Sequence, residues 1–293
     1  MTDCWTAFRE WLVDCNGAGL SQKTLRAYHD RVHRFLREMK PQTLDDINPN
    51  MVAEFLTRLR QSGLSPESVY GHWKDLRIWL NWCVRQEMLD KNPLNKMRPP
   101  KREKKIKPVP TQEELQRLIE AAATDDSWVS KRNRALMATL IGTGLRISEA
   151  AQMKIGDVEQ GYSIIRGKGG LGRMVPLPQD LRRELRRYIR AIPRPVKRDE
   201  PLWLQHDARS PLAATGMIEL VRRTSQRAGL SYRPHALRRA YASFALAAGM
   251  DSEVLSRLLG HTTSRMLRQY AKLEIDALAE AMARYSPLRK LKL

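Results

Sequence analysis

The stretch YSIIRGKGGLGRMVPL, residues 162–177, is the one place where the sequence changes clearly from a helical to a strand pattern. β-Branched residues flank a glycine-rich turn, which predicts a β-hairpin with its tip near residues 167–172. A phosphate-binding P-loop is excluded, because the sequence lacks both the P-loop glycine spacing before Lys168 and the Ser or Thr after it. Because the sequence on both sides has helical periodicity, we expect a mainly α protein with one small β-hairpin.

The residues around the hairpin, 111–293, form the predicted second domain. Thr111 and Glu114 have the spacing of a capping box, and a helix break is predicted at Gly142–Gly144. A tail helix is predicted at 273–286, with one apolar stripe made of Ile275, Leu278, Met282 and Tyr285. The other helices after the hairpin are predicted at about 178–191, 212–228, 235–248, 251–259 and 264–270.

The first 90 residues predict a separate helical bundle. Ser21 is a candidate N-cap, Gly63 ends the third helix and Pro66 begins the fourth. Short loops between amphipathic helices favour an all-α bundle of one small domain, residues 1–90. The helical segments are about 2–15, 20–39, 47–63 and 65–89.

Charge separates the two halves of the chain. The net charge is +20, and residues 1–100 contribute 15 basic against 12 acidic side chains, whereas the remainder contributes 37 against 20. A cationic globular half favours a polyanionic partner, most simply nucleic acid, over general solubility charge. Three cysteines without metal or CxxC spacing favour a reducing cytoplasm, and no stretch is apolar enough to span a membrane.

Residues 91–110, KNPLNKMRPPKREKKIKPVP, predict an extended basic linker between the domains. The charge is compatible with a solvated spacer or with a strap along a phosphate backbone. The second interpretation makes four of its side chains candidate DNA contacts: Lys101, Arg102, Lys104 and Lys105.

Six residues of the basic half are candidates for a chemical site, although each has an ordinary explanation alone. Arg146 could pair with Glu149 on a surface, Lys168 could be solvated at the hairpin tip, and Tyr270 could pack in the core. The six are Arg146, Lys168, His235, Arg238, His261 and Tyr270.

The motifs TGLRISE, GKGGLGRMVPL, HALRRAYAS, LLGH and RQY, in this order, resemble those of the tyrosine recombinase (phage integrase) family, and most of all its Xer recombinases. The resemblance implies that the six candidates are the catalytic set, with Tyr270 as the nucleophile. It also implies that residues 1–90 are the SAM-like core-binding domain. The family hairpin often has a basic residue soon after its lysine; here GLG precedes Arg173, a further candidate DNA contact.

The implied activity is site-specific recombination through a covalent 3′-phosphotyrosine, with strand exchange between two inverted-repeat core sites. Implied partners are double-stranded DNA and further copies of the chain, as a dimer on a site and a tetramer in the synapse. An accessory DNA-binding protein or a second recombinase would be a further partner. The segment 271–293 would dock into a neighbouring protomer, or else pack on its own domain.

The expected site requires no metal or cofactor, because cationic side chains would stabilise the phosphate charge. The expected location is the cytoplasm, at the nucleoid. Three other interpretations compete: a type IB topoisomerase, a DNA-binding protein without activity, and a metal-dependent relaxase. The relaxase needs clustered histidines, whereas His235 and His261 are far apart in sequence.

Overall fold

The computed structural model describes residues 2–102, 108–166, 172–260 and 280–291. The chain divides into two compact units, residues 1–106 and 107–293. The described residues are mainly helical with one antiparallel strand pair, which confirms the predicted fold class. None of the helices in the described part of the chain has the length and apolar character that a membrane crossing needs.

The first unit is a bundle whose helices begin at capped residues. The Ser21 hydroxyl accepts a hydrogen bond from the Thr24 amide at 3.2 Å, as predicted, and Pro66 occupies the first turn of its helix. Aromatic residues such as Trp11, Phe55 and Trp79 are fully buried in its core. The helices are α1 (Cys4–Gly17), α2 (Gln22–Met39), α3 (Pro49–Gln61) and α4 (Pro66–Arg85).

The first residues of the predicted linker pack against this bundle. Leu94 is fully buried in the core of the first unit, and Asn92 is nearly so. The Asn92 side-chain amide donates to the Arg77 carbonyl at 3.1 Å, and its oxygen accepts from the Leu94 amide at 2.8 Å. A single Leu between prolines has no periodicity, so composition alone did not indicate this packing.

The second unit surrounds a central apolar helix, α6, which packs against α5, α9 and α11. The predicted capping box is present: the Glu114 amide donates to the Thr111 hydroxyl, and the Thr111 amide donates to the Glu114 carboxylate. The helices are α5 (Gln112–Ala122), α6 (Trp128–Thr143), α7 (Ile147–Ala150), α8 (Ile155–Gln160), α9 (Gln179–Ala191), α10 (Ala214–Arg227), α11 (Pro234–Ala247) and α12 (Ser252–Leu259).

The hairpin strands are β1 (Tyr162–Arg166) and β2 (Gly172–Pro176). Their antiparallel register pairs Ile165 with Arg173. Residues directly opposite in such a pair share one face of the sheet, and Ile165 is fully buried. The register therefore directs Arg173 toward the interior, while most of the predicted tip, including Lys168, lies outside the described residues.

The described part of the C-terminal segment packs on its own unit. Residues 280–285 are helical, and Met282 is fully buried in the core of the second unit. The Ser286 hydroxyl donates to the Gly142 carbonyl at 3.0 Å, and the Leu288 side chain lies against the same glycine. Ile275 and Leu278 of the predicted stripe lie outside the described residues.

Candidate active site

A glycine turn at the end of α6 sets the position of Arg146. Gly144 has φ of +63°, and a Cβ atom there would lie 2.6 Å from Cδ1 of the Tyr241 ring. Only glycine fits both the left-handed conformation and the close approach. The turn ends α6 and leads into α7, whose N-cap residue is Arg146.

Glu149 on α7 is a buried carboxylate shared by two arginines. Its Oε2 accepts the Arg146 backbone amide at 2.8 Å, and its Oε1 accepts Arg146 Nη1 at 2.8 Å. Arg173 on β2 donates Nη1 to Oε1 at 3.0 Å and Nη2 to Oε2 at 2.8 Å. Such a fork-like pair fixes the planes of both groups, so Glu149 holds α7 and the hairpin together.

Arg238 on α11 is the third arginine of the cluster, and it is buried. Its Nη1 donates to the Gly144 carbonyl at 2.9 Å, and its Nη2 donates to the Leu259 carbonyl at 2.6 Å. Arg238 Nη1 also lies 3.8 Å from Glu149 Oε2. One guanidinium therefore ties the end of α6 to the end of α12.

The last carbonyls of α12 are the second acceptor group of the cluster. Leu258 O accepts Arg173 Nε at 2.9 Å, and Leu259 O also receives Arg146 Nη1 at 3.4 Å. Carbonyls at a helix C-terminus lack intrahelical donors and carry partial negative charge, which arginines complement. The three arginines thereby fix the point from which the chain continues, through Gly260, to His261.

The cluster keeps an excess of positive charge. Burial raises the pKa of the Glu149 carboxyl, but hydrogen bonds from Arg173 and Arg146 outweigh burial and hold it below its ordinary value. Burial, together with the nearby charge of Arg146, lowers the pKa of Arg238 to about 10. Three guanidiniums thus face one carboxylate at neutral pH, a balance that favours a bound anion.

His235 lies one turn before Arg238 on α11 and is exposed. Residues three apart on a helix share a face, as the sequence predicts. The structure therefore brings Arg146 and Arg238 together and places His235 on the element that carries Arg238. Lys168, His261 and Tyr270 lie outside the described residues. In the described part of the chain, no three His, Cys, Asp or Glu side chains gather as metal ligands would.

Arg173, which the sequence makes a candidate DNA contact, binds residues of its own unit in the structure. Its side chain is 17% exposed, and it binds Glu149 and the Leu258 carbonyl. This arrangement follows from the strand register seen in the structure, which pairs Arg173 with the apolar Ile165. Of the linker candidates, Lys101 is exposed, and the Arg102 guanidinium lies 4.3 Å from the centre of the Tyr70 ring. Lys104 and Lys105 lie outside the described residues.

Comparisons with known proteins find relatives over most of the chain. The Phage integrase family matches residues 109–276, and the N-terminal SAM-like domain of phage integrases matches residues 15–87. The chain is 30% identical over 280 residues to tyrosine recombinase XerA of Thermococcus kodakarensis, covering 93% of each chain. It is 26% identical to tyrosine recombinase XerD of Oceanobacillus iheyensis, covering 92% of this chain and 94% of that one.

The fold also matches solved integrase structures. A lambda integrase dimer bound to a COC′ core site superimposes with a TM-score of 0.75 at 21% identity, covering 90% of this chain and 97% of that one. A lambda integrase tetramer bound to a Holliday junction gives 0.75 at 20% identity, covering 91% and 79%. The chain belongs to the phage integrase family, the tyrosine recombinases. It is an enzyme that breaks and rejoins DNA.

Proposed function

We propose that the arginine cluster around Glu149 is the phosphate clamp of a site-specific DNA recombinase. The observation that carries the proposal is the convergence of Arg146 and Arg238 on the end of α12, next to one shared carboxylate. Glu149 neutralises only part of their charge. The remaining positive charge would stabilise the negative charge that a phosphodiester gains in the transition state of cleavage.

Arg146 has donors available for this task. Its side chain is 38% exposed, and Nη1 is the guanidinium nitrogen that binds Glu149 and Leu259. Nε and Nη2 have no hydrogen-bond partner among the described residues. Two parallel N–H groups match two non-bridging phosphate oxygens. In this proposal Glu149 and Arg173 are positioning residues, which act on DNA only through the geometry of Arg146 and Arg238.

The remaining roles follow from the chemistry of tyrosine attack on phosphorus. A free tyrosine has a pKa of about 10, so its ionisation at pH 7 costs about 4 kcal/mol. We assign Tyr270 as the nucleophile and His235 as the acceptor of its proton. Tyr270 forms the 3′-phosphotyrosine bond as the bond from phosphorus to the 5′ oxygen breaks. Lys168 protonates that leaving oxygen, and His261 donates to a non-bridging oxygen.

The proposed organisation on DNA rests on the family and on the lambda integrase structures. Lambda integrase is seen as a dimer on a core site and as a tetramer on a Holliday junction. We propose the same assemblies for this chain, on inverted-repeat core sites in cytoplasmic, nucleoid DNA. Its three cysteines are free and buried, which suits a reducing compartment.

The domains would divide the work on DNA. Residues 1–90 would bind the core site, residues 91–110 would be the linker, and residues 111–293 would be catalytic. An accessory protein or second recombinase would join at some sites.

The decisive experiment traps the covalent intermediate. A duplex nicked near the cleavage point loses a short fragment after attack, so the phosphotyrosine accumulates and is seen on a denaturing gel. We expect an adduct with the wild-type chain and none with Tyr270→Phe, while the two proteins bind duplex DNA equally. Adduct formation by Tyr270→Phe would reject Tyr270 as the nucleophile.

A further inference from the structure

A second basic surface lies on α9, outside the catalytic cluster. The helix has the sequence QDLRRELRRYIRA, and Arg183, Arg186, Arg187 and Arg190 are all exposed. With Lys131 of α6 they line an open depression of about 470 Å³. We call these five side chains the α9 arginine patch.

The patch keeps a net positive charge after its local ion pairs are counted. Three acidic side chains pair with cations of the patch: Asp126 pairs with Lys131, Asp180 with Arg183, and Glu184 with Arg187 and with the neighbouring Arg134. With Arg134, which shares Glu184 with Arg187, six cations therefore face three carboxylates. Arg186 and Arg190 form no ion pair within the described residues.

Folding of α9 does not explain this charge. The helix is held by its opposite face, where Leu181, Leu185 and Tyr188 are buried in the core. Arg186 and Arg190, four residues apart, repel each other along the helix surface and lower its stability. Arginine rather than lysine also suits planar, paired recognition of phosphate oxygens. A row of exposed arginines with an intrinsic cost to the helix therefore points to a polyanion as partner.

The α9 arginine patch and the phosphate clamp are far apart, and the length of α6 gives the distance between them. Lys131 lies in the first turn of α6, whereas Gly144 ends it beside Arg146. Thirteen residues at 1.5 Å each separate the two positions by about 20 Å. The intervening residues of α6, such as Leu136 and Leu140, are buried in the core. The two basic surfaces thus lie near opposite ends of one buried helix.

We propose that the α9 arginine patch binds the phosphate backbone of a second DNA duplex, separate from the one in the phosphate clamp. The distance from Arg183 to Arg190 along the helix is about 10 Å, which corresponds to about three phosphate steps on one strand. One protomer would then hold two duplexes at once. This proposal rests on the proposed function in one respect: the phosphate clamp holds the first duplex.

The test is a two-duplex capture assay with the full chain. Beads carrying one duplex are loaded with protein, washed, and given a fluorescent duplex of unrelated sequence. The patch variant is R186Q/R190Q, which breaks no ion pair seen in the described residues. The control is R222Q/R223Q on α10, whose arginines pair with Glu219. Each variant removes two positive charges from the exposed face of a helix.

We expect R186Q/R190Q to capture about tenfold less fluorescent duplex, because each lost phosphate contact removes counterion release. It should load on the bead-bound duplex as wild type does, and it should form the Tyr270 adduct normally. The control should capture as wild type does. The adduct assay keeps this proposal separate from the proposed function, because either can fail alone.

Four results would overturn the proposal. Equal capture by R186Q/R190Q and wild type, or no capture by wild type, would show that the patch holds no second duplex. An equal loss in R222Q/R223Q would show a general charge effect. A loss of capture together with lost self-association on a single duplex, measured as the mass of the complex, would make the patch a contact between copies of the chain.

Discussion

At the scale of single residues, Glu149 determines the geometry of the site. It is buried, and its two oxygens serve the Arg146 amide and the side chains of Arg146 and Arg173. Removing one charge of such a network leaves the other charges buried and without compensation. The geometry of the arginines therefore depends on Glu149, which in the proposed function acts without touching DNA.

Glu149→Gln should lower the free energy of unfolding of the second unit by about 3 kcal/mol at neutral pH. The folded-state pKa of Glu149 lies below its ordinary value, so its stabilising effect is present above that ordinary value. The effect is lost as the pH falls through the depressed folded-state pKa. Urea unfolding of both proteins, from pH 7 down to the lowest pH at which wild type folds, should show the difference shrinking. A constant difference would mean that Glu149 acts through its shape alone.

The two clamp arginines should differ in what their removal costs. Arg146→Ala and Arg238→Ala should each slow cleavage by about 100-fold or more, because each removes donors to the transition state. Arg238→Ala should also cost about 2 kcal/mol or more of stability, since it leaves the buried Gly144 and Leu259 carbonyls without this donor. Arg146 is more exposed, so its variant should melt closer to wild type.

Single-turnover cleavage and thermal melting measure these two effects separately. Equal melting temperatures for both variants would contradict the structural role of Arg238. Cleavage at the wild-type rate by either variant would remove that arginine from the site.

The sequence predicted the short-range part of this cluster but not its long-range part. Arg146 and Glu149 are three residues apart, so their pairing follows from helical spacing. Arg173 is 24 residues from Glu149, and its pairing requires the hairpin register and the docking of β2 beside α12. Local rules do not contain that docking. The contact with Glu149 does not test whether Arg173 also binds DNA, so its DNA contact stays a prediction.

At the scale of elements, the turn after α6 joins the core to the site. Gly144→Ala should destabilise the second unit by about 2 kcal/mol or more, through the left-handed backbone and the contact with Tyr241. Gly161→Ala is the control: its φ is +87°, but the atoms nearest to the added Cβ belong to the Arg182 guanidinium, the first of them at 3.3 Å, and not to a buried ring. Gly161→Ala should lose about 1 kcal/mol and keep cleavage activity.

Denaturant unfolding and adduct formation should be measured on both glycine variants. Gly144→Ala should cleave slowly, because its turn positions Arg146. Equal stability losses would show that backbone strain alone matters and that the Tyr241 contact is relaxed.

Helix ends and strand positions were predictable because their signals are local. The Ser21 cap, the Thr111–Glu114 capping box and the hairpin strands are all confirmed. Burial of Leu94 was not predicted, because one apolar residue in a proline-rich stretch gives no periodic signal. Tertiary packing determines the burial of Leu94, as it determines the contacts of Arg173.

At the scale of the whole molecule, the described residues contain two separate hydrophobic cores, one in each unit. The seven tryptophans divide unevenly between the units. Trp128 and Trp203 belong to the second unit, and the first unit has Trp5, Trp11, Trp73, Trp79 and Trp82. Tryptophan fluorescence therefore reports mainly on the first unit, whereas helical ellipticity reports on both.

Met282→Ala should separate the unfolding of the two units. Met282 is fully buried in the second core, so its truncation should cost about 2–5 kcal/mol there. The ellipticity curve in urea should gain an earlier phase, while the midpoint of the fluorescence change stays near wild type. Phe55→Ala, in the first core, should have the opposite effect.

Two other outcomes would contradict this prediction. A common shift of both signals would mean that the units unfold as one. No shift in either signal for Met282→Ala would mean that residues 280–291 leave their own unit in solution and pack elsewhere, as docking into a neighbouring protomer would require.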